Sequence, residues 1–442
     1  MLLTLQQLPN LQCMSKKFYY GLKIRVTWLS QKCMQIYGQY YYFVSMNVNI
    51  EYFAVHRLIY VQWMQMFTVD DIQTNAEVAV GETAEAQTAA EGDSSDSMTN
   101  IQRKWTKREC VTTVPLFTLN TGAVRELFHD DSATGIFCHL FDDCLIDHIV
   151  FQTNLYATQN EKRFEPVCSS ELHAFLGLTI LFGYHKLPAI RDYWSSDPHL
   201  GVPIVHETMK LDRYFGILSN LHANDNKAVP TENKNKLYKL RPVIDMLNWK
   251  YQSLRSPCRW QSIDESMVLF KGRSSIKQYN PMKPIKRGYK LWCRSDMNGY
   301  IYEFDVYQGK TEGFAQTGLG LGGNVVQKLT QKLHGQNYIV TFDNYFTSPD
   351  LLDYLKSKSV LACGTVRSNR KGLPTLATDR SLSRGEFDFR TTEQGLLYVK
   401  WKDNKVVHFL SNFHGSEKNC FVPQTERWLS ARSQCTGSCG RL

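Results

Sequence analysis

No apolar run reaches the roughly 18 uncharged residues that would cross a bilayer, which argues against a transmembrane helix and a membrane partner. The opening MLLTLQQLPNLQCMSKK has no basic stretch ahead of its apolar part and no small-residue cleavage site, so a signal peptide is not expected. Twelve cysteines are scattered without one Cys-x-x-Cys pair, a distribution that suits reduced thiols in a cytosolic or nuclear protein. Cys435 and Cys439 could make half of a zinc site, but no second ligand pair follows before Leu442, so zinc is not expected. GxxxxGK[ST], HExxH and GxSxG are all missing, which leaves ATPase, zincin and α/β-hydrolase chemistry without an anchor.

What is present is a chain of 442 residues with 43% hydrophobic residues, enough for a large core and more than one domain. Residues 1–67 are crowded with tyrosine and methionine and show no clean period, so they are left unassigned. Residues 68–100 form an expected disordered linker: 68–98 carry eight acids and no lysine or arginine.

A folded pattern begins near residue 101 and is first helical. Ser170 precedes ELHAFLGLTILF, in which Leu172, Phe175, Leu176 and Thr179 share a face behind a plausible N-cap. VHETMKLDRYFGILSNL reads as another helix, and Asn235 opens a third, in which Pro242 must fall in the first turns or kink it. After Pro257 the pattern turns to strands: QSIDESMVLF, YKLWCRS and YIYEFDVYQ, with Asn298-Gly299 as a hairpin signal between the last two. Helix NVVQKLTQKLHG, strand YIVTFD, helix SPDLLDYLKSK and strand VLACGTVR follow.

Three strands followed by helix, strand, helix, strand is the order of a ribonuclease-H-like α/β (α+β) fold, a mixed sheet flanked by helices. In such a sheet the first and fourth strands are neighbours, which would bring Asp264 and Asp343 face to face. Phosphodiester cutting needs cations on the attacking and leaving oxygens, and magnesium takes one or two carboxylates per ion beside water and phosphate. Asp264 and Asp343 are therefore candidate metal ligands and catalytic residues. An aspartate near a strand end is more often a turn or cap residue, so the surroundings matter. Between Lys271 and Ser295 stand eight basic residues, Lys271, Arg273, Lys277, Lys283, Lys286, Arg287, Lys290 and Arg294, and no acid. A solvated loop would be the plain explanation, but this run follows the Asp264 strand directly and suits a DNA phosphate backbone.

A competing reading is a dinucleotide-binding turn, since Gly318, Gly320 and Gly323 have its spacing and Asp343 stands 20 residues further on. The polar GKTEGFAQT, however, separates those glycines from the preceding strand, and the reading leaves Asp264 and the basic run without a role.

The segments IRDYWSSDP, DRYFGILSNLHANDN, SIDESMVLFKGRSSIKQYNPMKPIKRGYKLWCRSDMNGYIYEFDVYQGK, GLGLGGNVV, TFDNYFTSPDLL, GTVRSNRKGLP and VKWKDNKVVHFLSNFH resemble the piggyBac transposase family, over roughly 115–425. The resemblance implies that Asp264 and Asp343 are the first and second catalytic aspartates, working with magnesium. It implies a helical dimerisation and DNA-binding domain over 101–258 (its first part), a ribonuclease-H-like domain over 259–367, a small β-rich insertion domain over 368–428 and a tail over 429–442. Homodimers, a nuclear location, transposon-end DNA and joining at TTAA targets are implied in the same way.

The family's third aspartate lies in a GVD-type motif after the insertion domain, and these residues include none; Asp403 sits in the turn of an expected hairpin and is no substitute. The expectation is a transposase-derived DNA-binding protein with an incomplete triad and little strand transfer. The alternatives are an active or fragmentary cut-and-paste transposase and a protein-interaction module with no DNA role.

Overall fold

A computed structural model describes residues 103–416 other than 111, 125–131, 234 and 310–317. The readings made for 1–67, 68–100 and 429–442, and for Cys435 and Cys439, lie outside the described residues. Short strands β1 (Trp105–Thr106) and β2 (Gly122–Ala123) lead into α1 (Ala133–Leu140) and α2 (Asp143–Gln159). Helices α3 (Ser169–Tyr184), α4 (Pro203–Thr208), α5 (Leu211–Asn220) and α6 (Arg241–Leu254) follow. Strands β3 (Arg255–Ser256), β4 (Trp260–Leu269), β5 (Gln278–Tyr279), β6 (Arg287–Asp296) and β7 (Ile301–Val306) come next. The remainder is α7 (Gly320–Thr330), β8 (Ile339–Phe342), α8 (Pro349–Ser357), β9 (Leu361–Thr365), β10 (Phe387–Thr392), β11 (Leu397–Lys402) and β12 (Val406–Ser411).

Helix limits differ from the sequence expectation where local chemistry competes. Helix α3 starts one residue before Ser170, because the Glu171 carboxylate reaches back to accept the Cys168 backbone N–H at 3.3 Å. The expected single helix over VHETMKLDRYFGILSNL is two, α4 and α5, broken at extended Met209 and Lys210. Pro242 lies in the first turn of α6, where its missing N–H costs nothing, so the helix opens at Arg241 and the residues after Asn235 form turns.

The sheet among the described residues has the order β1-β10-β11-β12-β9-β8-β4-β6-β5, with β7 also on β6. Strands β4, β6 and β7 form an antiparallel meander whose hairpin turns at Asn298-Gly299, as the alternation predicts. The chain then crosses through α7 to lay β8 parallel to β4, and through α8 to lay β9 parallel to β8. This is the expected mixed sheet, and it continues further than expected: β12 pairs antiparallel with β9, so the strands of 387–411 extend the same sheet.

Two apolar layers hold it. On one side Tyr302, Phe304 and Val306 of β7 join Leu145, Phe175, Ile217 and Leu247 of the helices in one buried cluster. The Asn248 amide locks α6 to β7 by exchanging hydrogen bonds of 2.9 Å with both backbone groups of Phe304. A second cluster gathers Ile263, Val340 and Phe342 of the sheet with Val326, Leu329, Leu352 and Leu355 of α7 and α8. Burying side chains of this size contributes about 1.5–3 kcal/mol each before entropy is subtracted.

Candidate active site

The parallel register of β4 and β8 aligns Ile263 with Phe342, both buried in the second cluster. Strand alternation turns Asp264 away from that core, and Asp343 is the first residue past the end of β8, the neighbouring strand about 4.8 Å away. The site therefore arises where β8 ends and the chain must turn. The Asp343 carboxylate accepts the Tyr345 backbone N–H at 2.9 Å, and its carbonyl accepts the Thr347 hydroxyl at 2.8 Å. Gly364 on β9 makes room for that turn: a Cβ there would lie 2.6 Å from the Thr347 hydroxyl and 2.3 Å from the Phe342 carbonyl.

Burial, with the charges of Glu265 and Asp343, pushes the Asp264 carboxyl up to about 6 against the opposing pull of Lys283. Asp343 is raised as well, chiefly by burial and also by Glu265. Both carboxyls are desolvated, Glu265 raises both and Asp343 also raises Asp264, so a cation between them would supply compensating positive charge. The thiol of Cys293, opposite Asp264 on β6, is pushed up to about 12 by burial, which favours its neutral form. The donors are then carboxylate oxygens, which fit a hard divalent ion such as magnesium. Among the described residues no three His, Cys, Asp or Glu side chains converge in a set that could hold a metal.

The basic run divides into three groups. Lys271, Arg273, Lys286 and Arg287 are exposed, Lys277 is partly so, and the Arg287 guanidinium lies 5.4 Å from the Tyr279 ring. Lys283 and Lys290 are mostly buried beside Glu265. Arg294 must be withdrawn as a DNA contact: it is 1% exposed and held in the core by Gln261 at 3.1 Å and Glu303 at 3.3 Å. Its place on β6 aligns it with Ile263, so alternation points it inward. Of the interleaved aromatics, Tyr289 and Trp292 are core residues and Tyr279 is 62% exposed.

Sequence reasoning missed Glu265, although it is Asp264's neighbour. It also missed Arg367, whose charge lowers the Asp343 pKa, and Arg370, which donates to the carbonyls of Asn344 and Tyr345 at 2.8 and 2.9 Å. The arginines were legible only as part of a basic stretch, RSNRK, after β9. The glycines of the rejected nucleotide reading open α7 at Gly320, with no strand directly before them among the described residues.

A family model described as Transposase IS4 matches residues 132–436. PiggyBac transposable element-derived protein 3 of Homo sapiens is 34% identical over 76% of this chain and 57% of its own length. PiggyBac transposable element-derived protein 2 of Homo sapiens is 32% identical over 72% of this chain and 54% of its own. A cryo-EM structure of a piggyBac transposase synaptic complex with hairpin DNA superposes with a TM-score of 0.61 and 25% identity, over 71% of this chain and 68% of that one. The chain thus spans about half the length of the curated relatives it matches.

Proposed function

The chain belongs to the piggyBac transposase family, and from that premise we propose that it binds DNA through the surface beside Asp264 and Asp343 without cutting it unaided. The observation that carries this reading is the β4–β8 register, which sets two desolvated carboxylates side by side next to a cationic loop. A ribonuclease-H-like fold is shared with the solved transposase complex, and that complex holds hairpin DNA.

In this reading Asp264 and Asp343 hold a magnesium ion, which supplies Lewis-acid charge to a scissile phosphate when bound. Lys271, Arg273, Lys277, Lys286 and Arg287 bind the backbone, and Tyr279 adds an exposed ring to the same surface. Among the described residues no third acid converges on the two carboxylates, which alone supply too little charge and too little geometric constraint for a two-ion cut, so binding outlasts catalysis. The helical segment 101–258 serves dimerisation and DNA contact, 259–367 carries the carboxylate pair, and 368–428 acts as an insertion unit. The protein works in the nucleus.

Incubating the purified chain with TTAA-flanked transposon-end DNA and magnesium tests the reading. Retardation of the DNA without nicks or hairpin ends is expected. Robust nicking would favour the active-transposase alternative, and no retardation at low salt would favour the protein-interaction alternative.

A further inference from the structure

Glu265 follows Asp264 on β4, close enough that its charge acts on both Asp264 and Asp343, yet among the described residues no three such side chains converge in a set that could hold a metal, so Glu265 is not placed as a third ligand to the pair. It touches two ammonium groups from different parts of the chain instead. Lys283, from the loop between β5 and β6, donates to Glu265 Oε1 at 3.0 Å and lies 3.4 Å from its main-chain oxygen. Lys290, on β6, stands 3.8 Å from Oε2. The three side chains are only 14–19% exposed, well below the exposed lysines of the same loop.

Lys290 is further enclosed by rings, with its ammonium 4.0 Å from the Trp292 centroid, 5.1 Å from Tyr345 and 6.0 Å from Tyr307. Trp292 stacks on Tyr345 at 5.7 Å and 20°, and the Tyr345 backbone N–H is the donor held by Asp343. One line of contacts therefore runs from Asp343 through Tyr345 and Trp292 to Lys290 and Glu265.

A structural ion pair needs one lysine. Here two cations are held by one carboxylate, which leaves N–H donors to spare, since each ammonium has three. A lysine on a free surface loses side-chain entropy when it grips a phosphate, whereas one already held by a carboxylate and aromatic faces has lost most of it. We propose that Glu265 is a positioning residue that holds Lys283 and Lys290 together as one clamp for a DNA backbone phosphate beside the Asp264–Asp343 pair. The proposal rests on the DNA-binding reading above.

The sign of one substitution separates positioning from simple charge. Glu265→Gln removes a negative charge, and if Glu265 only screened the lysines, DNA would bind more tightly and with a steeper salt dependence. If Glu265 positions them, affinity falls, by about tenfold for loss of charge-assisted geometry. The measurement is fluorescence anisotropy of a labelled DNA duplex in chelator, from low to moderate salt, with full-length wild type, Glu265→Gln and Lys283→Met. Melting curves confirm that each variant is folded. Weaker binding by Glu265→Gln, with a log Kd against log salt slope reduced by about 1 to 2 as in Lys283→Met, is the expected result. Tighter or unchanged binding, or weaker binding with the wild-type slope, overturns the clamp and leaves the DNA-binding reading standing. Wild type that does not bind the duplex overturns both.

Discussion

Asp264 and Asp388 are both strand aspartates in one sheet, yet their surroundings drive them in opposite directions. Burial would also raise Asp388, but the Ala377 N–H at 2.9 Å and the cations of Lys107 and Arg390, each at 3.0 Å, outweigh it and hold the carboxyl at about 2. Asp264 has the N–H of Glu265 at 2.7 Å and no comparable pair of cations bonded to it, and it rises to about 6. A carboxylate that is fully paired fixes the fold, here by tying β10 to the segment after β1 and to the loop at Ala377. One left desolvated among like charges stores a need for a cation, which suits a functional site.

The largest effect expected from this contrast is at the paired residue. Asp388→Ala leaves Arg390 and the Ala377 N–H without their acceptor and should cost about 3 kcal/mol in urea unfolding. A loss under about 1 kcal/mol would break the comparison.

The acid limb comes next. Because the folded pKa of Asp388 is depressed, its contribution is complete above the unfolded value near 4 and is lost as pH falls through about 2. The stability gap between wild type and Asp388→Asn should therefore close by roughly 2 kcal/mol over that window. A gap that is independent of pH would show that the pairing is not electrostatic.

At the desolvated residue the sign reverses. Asp264→Asn should raise stability at neutral pH by on the order of 1 kcal/mol, because it removes a buried charge with no full set of partners. Magnesium should raise the wild-type melting temperature and leave the variant unmoved. A destabilised Asp264→Asn would place Asp264 in the same class as Asp388.

Smallest in stability is the change of the exposed Lys271, Lys286 and Arg287 to alanine, expected to shift unfolding by less than about 1 kcal/mol. The same variant should bind duplex DNA more weakly, with a salt slope lower by about 2 to 3. Unchanged affinity would separate the cationic loop from the carboxylate pair as a functional unit.

Much of the sheet was legible because its rules are local. Alternation along QSIDESMVLF and YKLWCRS, the Asn298-Gly299 turn and the Asp403-Asn404 turn between β11 and β12 each depend on near neighbours. Helix ends were less so: whether α6 opens at Asn235 or Arg241 depends on where Pro242 is tolerated, and the break at Met209 and Lys210 has no proline or glycine to announce it. The candidate site was half legible. The strand order placed Asp264 beside Asp343, but a basic run does not say which of its members face inward, and Arg294 and Lys290 look alike in the text.

By itself the sequence determined which elements form, in what order, and which two aspartates the crossover brings to adjacent strands, because periodicity, turn chemistry and crossover rules act along the chain. Only the tertiary structure decided that Arg294 is core, that Lys283 and Lys290 meet on Glu265, and that β12 adds its hairpin to β9. Those outcomes depend on which residues stand opposite one another across strands, and desolvation and charge there act through space rather than along the chain.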